Sequence, residues 1–437
     1  MRHGLAITVC RTTILRTRDS WVIAISPRKS IVAEMVAEFK SADIPGVSVR
    51  HGVGPNCLIQ QSGKVIHVFT ATQLLHAISQ RNPTSSLNGL DLVVCENLEH
   101  LDSTYELGVS LLRHATQSCP TRFIGFSSSL NDPSDLANWL DVDSSGLHSF
   151  RPRDRDQSLI FSTQTFTIPQ SAALFKAMAK PTHAAIQMAP PGGSALIFVP
   201  SRGQCRVVAL DLLTQCALNT ETEKGYLPDR TSREYVEDYL VRFQDATLID
   251  FVSKGVGFFH EGIPKSDRTL ILELYAEGIV RVLIVPRDSC WTVPVRATVV
   301  VVMGTQYVHV EGEDAERQLR DYQLNELVRM QGRAVRHTGS GHFYLFCQAE
   351  AKDTFTRFLN EGLPLESQLL ENRDLETWYN IQRQNLGSLK EQQIVDALSF
   401  TFLARRLVSN PAYYDCTPTS RDESISRIVD KLFAKGV

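Results

Sequence analysis

The segment from residue 92 to residue 100 joins an apolar run to a carboxylate that could activate water. Leu92, Val93 and Val94 have the character of a buried strand, and Cys95 and Glu96 follow directly. Two neighbouring carboxylates at such a strand end could hold magnesium and supply a general base. Here Glu96 is preceded by Cys95, and a thiol is a poor ligand for a cation that prefers oxygen. The segment predicts a strand end that keeps a vestigial base, Glu96, without a metal.

Two arginines could contact a phosphate in a second segment. Arg333 and Arg336 stand three residues apart behind Gly332, after a stretch with helical periodicity from Arg320 to Met330. The forked guanidinium group binds phosphate oxygens and stabilises charge on a transferring phosphoryl group. Taken alone, surface salt bridges would explain both side chains. Together with the strand end at Glu96, they predict a degenerate nucleotide site.

Three further candidate sites follow predicted strands. Pro27 and Arg28 open a helix, where a nucleic-acid phosphate often binds. Arg202 follows a buried strand, and α/β ligands bind at the carboxyl ends of parallel strands. An ordinary helix start or turn would look the same in both cases. His260 and Glu261 have no further ligand at helical spacing, so no metal site is predicted.

The elements that must position these residues alternate between strand and helix. The runs 196–199 and 299–302 have no polar face, which is typical of strands covered on both sides in a parallel sheet. Helical periodicity marks 30–40, 204–216 and 266–277. The predicted strands are Trp21–Ile25, Val65–Phe69, Leu90–Val94, Arg122–Phe126, Ala195–Val199, Arg281–Val285, Ala297–Met303 and His342–Cys347. This alternation predicts an α/β fold with two doubly wound parallel-sheet domains.

The domain boundaries follow from changes in composition. A polar stretch near 149–158 separates a first domain, 1–157, from a second, 158–350. From 351 to 437 the sequence is mostly helical, with one long amphipathic helix from Leu389 to Val408 that stops before Asn410 and Pro411. We expect the first domain to be incomplete at its amino end and the third at its carboxyl end.

Composition limits the classes of function. The chain has 437 residues, 43% of them hydrophobic, and a formal net charge of −3, so nucleic acid could bind only through a local groove. Its nine cysteines are scattered with no CxxC pair, so the sequence indicates neither a disulfide framework nor a zinc site. The amino terminus is neither a signal peptide nor a membrane span, and no membrane association is expected.

In order and spacing, these segments resemble the superfamily 2 nucleic-acid helicases, in particular the carboxyl-terminal cassette of the two-cassette spliceosomal RNA helicases. The resemblance covers nearly the whole chain and implies two RecA-like domains followed by a winged-helix module. The segments that carry it are Phe126–Leu130, Asn138–Leu140, Met178–Pro181, Phe198–Arg202, Gly255–Gly262, Ser289–Trp291, Met303–Tyr307, Leu363–Ser367, Phe402–Arg406 and Asn410–Tyr414.

The chain departs from the active pattern of that family at several motifs. The place of the phosphate-binding loop, Gly-x-Gly-Lys-Thr, falls on 6–10, with Ile7 instead of the lysine and Thr8 as the remaining nucleotide-binding residue. Cys95 stands at the family's magnesium-binding Asp, whereas Glu96 keeps the position of the water-activating carboxylate. The Ser-Ala-Thr coupling motif is 127–129, three serines. Pro286, Thr292 and Pro294 stand where Thr or Ser, Gly and Asn are usual. In the arginine motif, the leading Gln is Arg329 and the glycine between the arginines is Val335.

The resemblance implies a nuclear pre-mRNA splicing factor whose cassette has lost its ATPase. Its partners would be spliceosomal proteins and an active amino-terminal cassette of the same full-length chain. Weak RNA contact would remain at Pro27, Arg28, Thr70 and Arg202, and we expect no cofactor beyond weak ATP or ADP without magnesium. A cleft between the α/β domains would be lined by Thr8, Glu96, Ser127, Arg202, Arg333 and Arg336. Two alternatives stay open, an active RNA-dependent ATPase and a cytosolic two-cassette helicase acting on stalled ribosomes.

Overall fold

The computed structural model divides the chain into two compact units. The first consists of Met1–Arg151 together with Gly362–Val437, and the second of Pro152–Glu361. The three-domain division expected above stays a prediction. The described residues are 2–16, 19–52, 57–59, 62–81, 87–154, 159–190, 193–219, 224–228, 231, 233–311, 316–334, 340–371, 373–386, 391–416 and 421–435.

The first unit is built on a five-stranded parallel sheet. Its strand order is β2-β3-β1-β4-β5, and every residue of β1 is buried because helices cover both faces. The elements in chain order are α1 (Arg2–Ile14), β1 (Ser20–Ser26), α2 (Lys29–Ser41), β2 (Val47–His51), β3 (Lys64–Thr70), α3 (Ala71–Ser79), β4 (Leu90–Cys95), α4 (Ser103–Thr116), β5 (Arg122–Gly125) and α5 (Ser134–Trp139).

The second unit contains a six-stranded parallel sheet and a separate antiparallel hairpin. The sheet order is β6-β13-β10-β7-β9-β8, and β11 pairs only with β12 among the described strands. The elements are β6 (Leu159–Phe166), α6 (Ala172–Gln187), β7 (Ala195–Val199), α7 (Arg202–Asn219), α8 (Arg233–Leu240), α9 (Ala246–Val252), β8 (Val256–Phe258), α10 (Lys265–Ala276), β9 (Val282–Pro286), β10 (Val299–Met303), β11 (Gln306–Glu311), β12 (Glu316–Asp321), α11 (Leu324–Gln331), β13 (Gly341–Gln348) and α12 (Lys352–Glu361).

The chain re-enters the first unit at Gly362. Leu363 forms a bridge with Leu130, and Gly362 has φ +108 with no room for a side chain, since a Cβ would lie 2.8 Å from the Leu130 carbonyl carbon. The described elements that follow are all helical: α13 (Asp374–Leu386), α14 (Glu391–Ser399), α15 (Phe402–Ser409) and α16 (Arg421–Lys435), with a 3-10 turn at Pro411–Tyr414. The winged-helix module stays a prediction.

The α/β fold class is confirmed, and each predicted strand corresponds to an observed one. The single long helix expected over 389–408 is wrong in its described part. It is divided into α14 and α15, because the Thr401 hydroxyl accepts a hydrogen bond from the Ala404 amide at 3.2 Å and starts a new helix. The helical stretch expected from Arg320 begins only at Leu324, since Arg320 and Asp321 belong to β12. Within the described residues, no helix is long and apolar enough to cross a membrane.

Candidate functional site

The parallel register of the first sheet gathers the predicted residues at one edge. Ser26 is paired with Thr70, Ile25 with Cys95, and Cys95 with Gly125. The residues just after these strand ends therefore share the carboxyl edge, where ligands of open α/β sheets bind. They are Pro27, Arg28, Thr70, Glu96 and Ser127.

Cys95 is completely buried at the end of β4 and does not fit a magnesium ion. Burial, with a further contribution from Glu96, raises the pKa of its thiol to about 12. The group is therefore a neutral S–H at physiological pH, and magnesium is held by oxygen ligands. Among the described residues, no group of three His, Cys, Asp or Glu side chains is arranged to hold a metal.

Glu96 is held in a rigid and completely buried position. Its amide donates to the Ile25 carbonyl at 2.8 Å, and its own carbonyl accepts from the Tyr105 hydroxyl at 2.9 Å. The Tyr105 hydroxyl also lies 3.3 Å from the Ile25 carbonyl, so one side chain ties the ends of β1 and β4 together. The backbone at Glu96 is thus fixed by the fold.

The stretch matched to the phosphate-binding loop lies inside α1, which packs against β1 and β4. Thr8 is exposed on this helix, and its hydroxyl donates to the Gly4 carbonyl at 2.8 Å. Cys10 is buried on the opposite side, where burial and the charge of Glu96 raise its thiol pKa to about 12. Residues 6–10 are therefore helical and do not form a loop, and the Thr8 hydroxyl is hydrogen-bonded within its own helix.

Glu99 connects the loop after β4 to the serine motif after β5. Its carboxylate accepts from the Ser128 hydroxyl at 2.8 Å and from the Ser128 amide at 3.0 Å. Sequence reasoning gave Glu99 no role, because its partner Ser128 is 29 positions away along the chain. The contact joins the loop that carries Glu96 to the one that carries Ser127.

Thr70 and Arg28 both lie at helix starts. The Thr70 hydroxyl accepts from the Gln73 amide at 3.2 Å, and the Gln73 side chain accepts from the Thr70 amide at 2.9 Å, which forms a capping box on α3. Arg28 is the N-cap residue of α2 and makes no side-chain cap hydrogen bond. Its positive charge lowers the pKa of Asp102, although burial raises that pKa overall.

In the second unit, two carboxylates surround Arg202 at the ends of β7, β8 and β9. The Arg202 guanidinium lies 3.3 Å from the Glu261 carboxylate and 3.7 Å from the Asp288 carboxylate. Burial, and then the charge of Arg202, lowers the pKa of His260 below its ordinary value. The imidazole is therefore neutral at physiological pH. Arg202, Glu261 and Asp288 together carry a net negative charge.

Arg333 contacts a backbone carbonyl within its own unit. Its guanidinium donates to the Cys290 carbonyl at 3.3 Å, and the neighbouring Arg329 donates to the same carbonyl at 3.2 Å. Arg333 follows α11 and precedes β13, and its carbonyl accepts from the Ala297 amide at 3.0 Å. Arg336 lies outside the described residues, and the expected cleft stays a prediction.

Comparison with known proteins identifies relatives across most of the chain. It is 31% identical to the human U5 small nuclear ribonucleoprotein 200 kDa helicase over 354 residues, 78% of this chain and 15% of the relative. It is 29% identical over 382 residues to the fission yeast pre-mRNA-splicing factor brr2, covering 83% of this chain and 17% of the relative. No family model matches. The chain therefore carries a helicase region like that of these two splicing proteins.

A third relative belongs to a different assembly. The chain is 28% identical over 431 residues to the budding yeast RQC trigger complex helicase SLH1, covering 94% of this chain and 21% of that protein. The chain therefore spans between about a seventh and about a fifth of the length of these three helicases. The relationship supports the two α/β domains as helicase domains of the RecA-like kind.

Proposed function

We propose that the chain is a helicase cassette without ATPase activity that serves as a regulatory and protein-interaction platform in a pre-mRNA splicing helicase. An active sister cassette in the same full-length protein would supply the motor. The observation that carries the proposal is Cys95, a buried and neutral thiol at the place of the magnesium ligand. Catalysis in such folds depends on positioning and on charge stabilisation by lysine, magnesium and arginine.

The retained carboxylate does not compensate for the missing metal ligand. Glu96 could activate a water molecule only beside a nucleotide that is already held in place. An arginine contributes about 10³ to 10⁵ in rate under the same condition. Arg333 instead donates to the Cys290 carbonyl, which is a structural use of its guanidinium. The residues that survive therefore support the domain rather than a reaction.

The names of the relatives support a nuclear site of action and spliceosomal protein partners. A U5 ribonucleoprotein helicase and a pre-mRNA-splicing factor are among them. The second candidate, a helicase acting on stalled ribosomes, is favoured by the similarity to the RQC trigger complex helicase. Affinity purification of the full-length protein distinguishes them: spliceosomal proteins are expected, and recovery of ribosomes instead would favour the second candidate.

An ATP turnover assay tests the loss of catalysis. The purified chain is incubated with ATP, magnesium and single-stranded RNA, and phosphate release is expected to equal the background of the Glu96→Gln variant. Nucleotide binding is expected to be weak and unchanged by magnesium. RNA-stimulated turnover that disappears in Glu96→Gln would establish the alternative, an active ATPase.

A further inference from the structure

Glu106 on α4 joins the α/β part of the first unit to its carboxyl-terminal segment. The side chain is completely buried, and its two oxygens accept from different parts of that segment. The Ser367 hydroxyl donates to Oε2 at 2.6 Å, across 261 positions of sequence, and the Leu403 amide donates to Oε1 at 2.7 Å, across 297 positions. One carboxyl group therefore fixes both the loop 363–369 and the start of α15.

The hydrogen bonds of Glu106 extend into the packing on either side. The Ser367 hydroxyl accepts from the Leu369 amide at 3.2 Å, which fixes the turn of the loop. The Ser110 hydroxyl donates to the Glu106 carbonyl at 2.7 Å and accepts from the Trp139 indole at 3.0 Å. Displacement of the Glu106 side chain would therefore loosen α15 and the loop first.

No cation contributes to the described environment of the Glu106 carboxyl. Its hydrogen-bond partners among the described residues are the Ser367 hydroxyl and the Leu403 amide, whereas Arg406 of α15 pairs with Glu366 and with Asp135. The Tyr414 hydroxyl donates to Glu366 at 2.9 Å.

The remaining elements around α4 carry other titratable groups. Asp374 of α13 accepts from Thr104 at 3.1 Å, Asp396 of α14 acts electrostatically on His114 of α4, and α3 carries His76. Of the arginines near α4, Arg406 pairs with Glu366 and Asp135, and Arg113 of α4 itself lies 3.9 Å from the Asp141 carboxylate.

We propose that Glu106 is a proton-dependent latch, whose neutral carboxyl holds the loop 363–369 and the start of α15 against α4 and whose ionisation loosens them. Ionisation places a charge in a completely buried site where no described cation acts on it, and a buried charge without such a partner is costly. The inference concerns the fold of the first unit and does not depend on the proposed function.

The direction of the pH effect follows from the burial of the carboxyl. Burial raises the pKa of Glu106 from 4.5 to about 7, despite the hydrogen bonds from Ser367 and Leu403 that favour the ionised form. The docked state therefore binds the proton more tightly than the open state. The free energy that the neutral Glu106 carboxyl contributes to docking is complete below pH 4.5. It declines as the pH rises towards 7 and is absent above pH 7.

Hydrogen–deuterium exchange of the whole chain between pH 5.5 and 8 tests this latch. Exchange rates corrected for the intrinsic rate give the equilibrium constant for local opening. For 363–369 and 402–409 this constant is expected to increase by up to about tenfold per pH unit and to level off near pH 7. The Glu106→Gln variant, whose amide resembles the neutral carboxyl, is expected to abolish the increase. Glu273→Gln, an exposed position on α10, serves as the matched control and should behave as the unmodified chain.

Three results would overturn the latch. One is a flat opening profile in the unmodified chain, which decides the matter even where the Glu106→Gln variant does not fold. Another is an increase in opening that persists unchanged in Glu106→Gln. An increase spread equally over β1 and β4 would also overturn it, since general unfolding and not local undocking would then be the cause.

Discussion

At the scale of single residues, Cys95 is a side chain suited to the core in which it lies. A thiol is among the side chains that pack best in an apolar interior. At the end of β4 it is fully buried beside Glu96, so a second carboxylate there would add charge to a dry environment. The interior of this unit is therefore adapted to a neutral group at the position.

This adaptation predicts that restoring the acidic residue will harm the protein. The Cys95→Asp variant is expected to lower the free energy of unfolding by about 2 kcal/mol or more, because it buries a polar group next to a carboxylate. It is expected to restore no ATP turnover. Denaturant unfolding monitored by circular dichroism measures the first effect and phosphate release the second.

Cys95→Ser is the matched control, since it replaces sulfur by oxygen without adding a charge. A smaller loss of stability is expected for it than for Cys95→Asp. Unchanged stability together with magnesium-dependent turnover in Cys95→Asp would show that the site still accepts the metal, and the proposed loss of function would then be confined to one residue.

At the scale of secondary structure, the strand ends serve the fold as much as they could serve a ligand. Thr70 ends β3 and at the same time caps α3 through reciprocal hydrogen bonds with Gln73. Glu99 likewise connects the loops after β4 and β5 through Ser128. These contacts give each element at the carboxyl edge a structural role that persists without nucleotide.

The capping role of Thr70 leads to a stability prediction. The Thr70→Ala variant removes the acceptor for the Gln73 amide, so the free energy of unfolding is expected to fall by about 1 kcal/mol. Thr70→Ser keeps the acceptor and should retain most of the stability. Thermal unfolding of the three proteins provides the measurement, and equal melting temperatures for Thr70→Ala and the unmodified chain would argue against a capping role.

At the scale of the whole molecule, the charge balance bears on the proposal that the partners are proteins and not nucleic acid. The net charge is −3, and the described cation at the edge of the second sheet, Arg202, is paired with Glu261 and Asp288. A phosphate track needs several aligned cations, because each neutralised phosphate contributes separately to affinity. Core strands such as β10 nevertheless remain wholly apolar and buried, as a scaffold requires.

The corresponding prediction concerns RNA affinity. Titration of the chain with single-stranded RNA is expected to show weak binding that is lost at moderate salt, because few phosphates are contacted. The variant Glu261→Gln with Asp288→Asn releases Arg202 from its carboxylates and should bind RNA more tightly. Tight, salt-resistant binding by the unmodified chain, with no protein partner recovered, would contradict a protein-interaction role.

The sequence by itself determined the class of fold and the places of eight strands, but not β2, β6, β11 or β12. Runs such as 299–302 are apolar on both faces, and that pattern is compatible with strands covered by helices, as β10 is. It also indicated which residues follow each strand. Parallel strands place their carboxyl ends together, so those residues share one edge of the sheet. Glu96, Thr70 and Arg28 could therefore be assigned to one edge before the structure was known.

Only the tertiary structure decided the partners of these residues. Arg202 meets Glu261 from 59 positions away, and Glu106 meets Leu403 from 297 positions away, so local patterns contain no signal for either contact. The division of 389–408 into α14 and α15 was missed because the apolar periodicity continues across Thr401. Periodicity reports which face of a helix is buried, whereas a side-chain cap and a long-range hydrogen bond depend on where the chain returns in space.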